Sequence, residues 1–86
     1  MRVEFLARFS RDIDAINSSA VKKAVERVIL EAENSKSIYD VKNVKKMSGF
    51  KNAYRIRIGD YRIGLFYGTV QFARVVHRKD IYRVFP

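Results

Sequence analysis

The stretch AYRIRIGDYRIGLFYG, residues 53–68, sets three arginines into a run that alternates with apolar residues and turns at a glycine. Glycine and aspartate between two such runs suit a tight hairpin turn. With Gly59-Asp60 as the turn, Ile58 faces Tyr61, Arg57 faces Arg62, Ile56 faces Ile63, Arg55 faces Gly64 and Tyr54 faces Leu65. Side chains alternate with period two along a strand. Tyr54, Ile56, Ile58, Tyr61, Ile63 and Leu65 therefore share one face, and Arg55, Arg57 and Arg62 share the other. Arg57 opposite Arg62 is a like-charge cross-strand pair, which is mildly destabilising. Two readings stay open: a surface that binds an anion, or repulsion tolerated on the wet side of a sheet.

A second turn at Gly68-Thr69 would put Val75 opposite Arg62 and His77 on the arginine face. His77 is the sole histidine, and imidazole is the side chain whose ordinary pKa suits proton transfer near neutrality. The bland alternative is a surface or packing histidine. The same register sends Arg74 to the apolar face, so a bulge, a longer turn or a place at the sheet's rim is expected there. Arg78 and Lys79 extend the basic strip, and Tyr82 follows Arg78 by four residues. A tyrosine beside arginines stacks on a base while the cations hold phosphate; the alternative for Tyr82 is a core or rim aromatic. Lys45, Lys46 and Lys51 lie in the basic segment VKNVKKMSGFKN and are further candidates for phosphate contacts.

The elements that must hold these residues are legible in outline. MRVEFL alternates as a short strand. Leu6, Phe9, Ile13 and Ile16 recur at helical spacing, with Ser10 as a candidate N-cap. NSS interrupts, Ser18 or Ser19 caps a longer helix to about Glu33, and its apolar stripe is Val21, Val25, Val28, Ile29 and Ala32. So short a break implies an antiparallel helical hairpin. NSKSIYD reads as a turn and VKNVKKMSGFKN as an irregular basic loop. The last third forms a three-strand antiparallel meander followed by a short C-terminal tail. The order is α+β, with the helices packed on one sheet face, and residues 1–86 form a single domain.

Composition narrows the function. Hydrophobic residues make up 48 % of the chain and aromatics 13 %, enough for a folded core. The absence of cysteine excludes disulfides and thiolate metal sites, and nothing in the sequence calls for a metal or cofactor. No apolar run approaches the ~20 residues of a membrane helix, and the opening MRVEFL lacks the apolar stretch of a signal peptide, so the expected location is the cytoplasm. The net charge is +9. Residues 1–40 balance seven basic against seven acidic side chains, whereas residues 41–86 carry eleven basic residues against only Asp60 and Asp80. The whole excess thus sits beside the candidate site, and such a patch attracts nucleic acid or an acidic protein.

VKKMSGFKNAYRIRIGDYRIGLFY followed by VVHRKDIY resembles the RelE/ParE superfamily of bacterial and archaeal toxins from type II toxin–antitoxin systems. The resemblance covers nearly the whole chain, and its most specific portions are YRIRIGDYRI and HRKDIY. It implies ribosome-dependent mRNA cleavage for a RelE-like member, or inhibition of DNA gyrase for a ParE-like one. A degenerate RNA-binding domain without toxicity is a third reading. The family's functional positions map onto Arg55, Arg57, Arg62, Arg78 and Tyr82. RelE-like toxins often carry lysine at the first two, and arginine there, with a pKa above ~12, is no general base. His77 is then the expected base; otherwise the ribosome supplies the positioning and the site lacks a strong base. Either toxin reading implies a cognate acidic antitoxin, with Phe66 and Val75 as apolar contacts on the cationic face.

Overall fold

Residues 1–86 are all described by the computed structural model. Strand β1 (Val3–Phe5) passes directly into helix α1 (Ala7–Ala15). The Leu6 amide still donates to the Phe72 carbonyl at 3.0 Å, while the Leu6 carbonyl accepts from Phe9 at 3.0 Å. The helix therefore starts at once, with Leu6 as its N-cap and Ser10 inside it rather than capping it. Helix α2 (Ser19–Asn34) begins as expected, with Ser18 Oγ accepting from the Val21 amide at 3.2 Å. Its stripe turns Val25, Val28 and Ala32 into the interior. Ser37 then caps one 3-10 turn, Ile38–Asp40, that buries Ile38.

Strand β2 (Val44–Lys46) follows, then β3 (Ala53–Ile58), β4 (Tyr61–Phe66), β5 (Val70–His77) and a single helical turn, α3 (Ile81–Val84). The sheet order is β1-β5-β4-β3-β2, with β1 parallel to β5 and the other neighbours antiparallel. The meander thus has four strands, one more than expected. Three residues are too few to display an alternating pattern, and β2 forms because Val44, Lys45 and Lys46 find Ile56, Arg55 and Tyr54 on the edge of β3. Lysines on such an edge discourage pairing with another chain.

The β3–β4 register is the expected one, pair for pair from Ile58–Tyr61 to Tyr54–Leu65. Gly59 takes φ +62° in the turn, a conformation that costs glycine nothing. The β4–β5 register begins as expected at Phe66–Gln71 and Leu65–Phe72, then shifts by one residue. Beyond the bulge Gly64 faces Arg74, Ile63 faces Val75, Arg62 faces Val76 and Tyr61 faces His77. A one-residue slip exchanges the two faces of a strand, and the consequences reach the candidate site.

The helix side of the sheet holds the main core, in which Ile56, Ile63, Leu65 and Phe72 are fully buried beneath Phe9, Val25 and Ala32. The opposite side is not merely wet. The C-terminal turn folds back over it and closes a second, smaller core of Met47, Ala53, Ala73, Ile81 and Phe85. No helix is long and apolar enough to cross a membrane.

Candidate functional site

Arg55, Arg57 and Arg62 emerge on the same face, as the hairpin register requires, with Lys45 beside Arg55 on β2. The Arg62 guanidinium bends back over its own turn, donating from Nη1 to the carbonyls of Gly59 at 2.9 Å and Tyr61 at 3.0 Å. Partial burial pushes its pKa below the usual arginine value, and the charges of Arg55, Arg57 and Arg78 push it the same way. All three act on Arg62, so the four cations share one locality. The chain has three ion pairs: Arg74–Asp12 at 2.8 Å, Arg78–Asp60 at 3.9 Å and Arg83–Asp80 at 2.9 Å. Arg55, Arg57 and Arg62 take part in none, and the exposed, long Arg78–Asp60 pair neutralises little. The face is thus set for a ligand that supplies negative charge.

Tyr82 joins this cluster through α3. Ile81 and Phe85, four residues apart on one side of the turn, are 1 % and 4 % exposed and anchor it to the second core. Tyr82, on the other side, is 69 % exposed, with the Arg55 guanidinium carbon 5.9 Å from its ring centroid, within cation–π range. Phe85 comes so close to the backbone of β4 that a Cβ at Gly64 would meet its ring at 2.6 Å. The glycine opposite Arg55 is therefore a seat for an aromatic ring, and Phe66 flanks that ring at 5.0 Å between centroids. Neither Gly64 nor Phe85 stands out by composition. The signal was a glycine in mid-strand, which marks a close approach.

His77 is a correction. The bulge at Ala73 puts it opposite Tyr61, away from the arginine face, with ring centroids 5.8 Å apart and edge-on. Its Nδ1 accepts from the Lys79 amide at 3.2 Å. The register places His77 on the opposite side of the sheet from Arg55, Arg57 and Arg62. Val75 is likewise in the main core rather than on the cationic face, whereas Phe66 stays on that face, half-buried with its ring against Phe85. The same slip carries Arg74 off the apolar face to the rim. There Asp12 of α1 receives its Nε and Nη2 at 2.8 and 3.1 Å, and also accepts from the Val75 amide at 3.0 Å. That carboxylate completes the part of the β5 edge which β1, pairing only as far as Phe72, leaves open.

Of the other basic candidates, Lys45 and Lys46 line a groove of about 310 Å³ together with Phe50, Arg55, Tyr82 and Phe85. Lys51 and Lys79 are exposed in loops and do not line it. Phe50 escaped the reading of the sequence, because a lone aromatic in an irregular loop has no periodicity to reveal its direction. No group of histidine, cysteine, aspartate or glutamate with metal-binding geometry is present.

No protein-family model matches the sequence. Toxin RelE3 of Methanocaldococcus jannaschii is 42 % identical over 89 residues, an alignment that spans 100 % of both chains. The chain belongs to the RelE toxin family. A crystal structure of a RelB–RelE antitoxin–toxin complex from Methanococcus jannaschii contains a chain 40 % identical, with a TM-score of 0.80 over 96 % of this chain and 99 % of that one. Two more distant structures share the fold. YafQ from Escherichia coli strain BL21(DE3) is 16 % identical with a TM-score of 0.64 over 92 % of this chain and 96 % of that one. A chain of the archaeal RelE–RelB complex from Pyrococcus horikoshii OT3 is 22 % identical with a TM-score of 0.59 over 93 % and 97 %. The α+β order inferred from periodicity is the family's own, and this chain is a RelE-like toxin.

Proposed function

We propose that this toxin cuts ribosome-bound mRNA in the cytoplasm at the face formed by Arg55, Arg57, Arg62, Arg78 and Tyr82. The observation that carries the reading is the cluster of guanidinium groups, three of them in no ion pair, beside an exposed tyrosine. The reaction is attack of a ribose 2′-oxygen on the adjacent phosphorus. The bond to the 5′-oxygen breaks, leaving a 2′,3′-cyclic phosphate and a 5′-hydroxyl. The 2′-hydroxyl loses a proton and the departing oxygen gains one. Between them lies a dianionic phosphorane, and preorganised cations act where that charge develops. Arg55, Arg57 and Arg62 surround the phosphate, Arg78 screens the leaving oxygen, and Tyr82 stacks on a base to hold the in-line geometry. With His77 turned away, no strong base faces the phosphate, so the site works by positioning and charge.

The cationic face also suits an acidic antitoxin segment whose carboxylates compete with phosphate for the same arginines. The Methanococcus and Pyrococcus relatives were solved in RelB–RelE complexes. The gyrase alternative gains no support from these relatives.

Primer extension on ribosome-bound mRNA tests the reading. Wild type cuts, Arg62→Ala loses about 10²–10³ in kcat, the scale of one lost oxyanion donor, and His77→Ala cuts at the wild-type rate. Absence of cleavage by the wild type, or full activity of Arg62→Ala, overturns it.

A further inference from the structure

Phe50 has no task in that chemistry, yet it is held 48 % exposed. Its loop is anchored rather than loose. Met47 at its root is buried in the second core, and its amide donates to the Ala53 carbonyl at 2.8 Å. The Phe50 amide closes the turn onto the Met47 carbonyl at 3.3 Å, and Gly49 provides the required φ of +86°. Phe50 borders the same groove as Tyr82, Arg55, Lys45 and Lys46, and no aspartate or glutamate side chain lines that groove. Strands lie ~4.8 Å apart, so β2, which carries Lys45, is about 10 Å from β4, which carries Arg62. The groove therefore continues the path of a polyanion past the arginines to the edge of the sheet. A phenyl ring has no hydrogen bond to offer. Rings of this kind, interleaved with cations, form stacking platforms for single-stranded nucleic acid, since every base has a π-face.

We propose that Phe50 is a second base-stacking platform, which receives the nucleobase next to the one held by Tyr82 while Lys45 and Arg55 contact the phosphate between them. The inference rests on the reading that RNA lies across the arginine face. It assigns the groove to single-stranded RNA, because a groove lined by Lys45, Lys46 and Arg55 with no aspartate or glutamate side chain complements a phosphate chain.

The test uses the free toxin and a short single-stranded RNA. A 2′-deoxy nucleotide at the scissile position blocks cleavage, and 2-aminopurine is placed at each neighbouring position in turn. Wild type quenches fluorescence at two adjacent positions. Phe50→Ala abolishes one of the two and weakens binding about 5- to 100-fold, Tyr82→Ala abolishes the other, and Phe50→Trp restores the wild-type pattern. Circular dichroism of Phe50→Ala matches wild type, since the ring is exposed. Quenching at a single position in the wild type, or Phe50→Ala indistinguishable from wild type, overturns the proposal and leaves Phe50 to protein contacts. Primer extension separates the two readings. Two-position quenching without ribosomal cleavage sinks the nuclease alone, whereas normal cleavage with no effect at Phe50 sinks this inference alone.

Discussion

On the helix side of the sheet Ile56, Ile63, Leu65 and Phe72 have no exposed surface. On the other side the same strands present Arg55, Arg57 and Arg62 around a patch of only five buried residues. Neighbouring residues of one strand thus serve opposite ends, because the period of two sends them to opposite environments. The helix side supplies stability through apolar burial. The cationic side holds like charges together, which opposes folding, and it stays in place because the hairpin is fixed from behind. The small core under α3 belongs to both, since it contributes burial and also fixes Tyr82 beside Arg55.

Substitutions that exchange these roles would break the comparison. The largest effect is expected for Phe72→Ala in the main core. It should destabilise the fold by about 3–5 kcal/mol, a large share of the ~5–15 kcal/mol of a typical domain. Urea unfolding measures it, and a loss below ~1 kcal/mol would show that the helix side is not the source of stability. Gly64→Ala sharpens the boundary between the two sides. Its methyl would collide with the Phe85 ring, at a cost of about 1–3 kcal/mol, and would lift α3. Cleavage should fall at temperatures where the variant remains fully folded; wild-type turnover in that range would separate Tyr82 placement from the glycine seat. The smallest effect is expected for Arg57→Thr, which removes the like-charge pair with Arg62. It should gain about 0.5 kcal/mol, seen as a rise of ~2–4 °C in Tm, while cleavage drops. A fall in Tm would mean that the arginine face contributes to stability after all.

The parts legible in the sequence were those governed by local rules. The β3–β4 hairpin was readable because a glycine turn fixes register within a few residues, and the α2 cap and stripe because a helix repeats every few positions. Strand β2 was too short to show its pattern. The reach of α3 over the sheet depended on contacts between Phe85 and Gly64, twenty-one positions apart. The expected placement of His77 on the arginine face failed for a single reason. One extra residue at Ala73 reverses every face beyond it; Arg74 on the apolar face pointed to a bulge, a longer turn or a rim position, and local pattern did not distinguish among them.

The amino-acid order alone determined that three arginines share a surface, that the excess charge lies in the second half, and that two helices cover the apolar side. These follow from period and composition, which act over neighbouring residues. The tertiary structure decided which strand residues pass a bulge, which ring rests on a bare backbone, and hence that Tyr82 joins the arginines while His77 does not. Those outcomes depend on how distant segments pack, and a one-residue shift in packing changes the face of a side chain without changing any local preference.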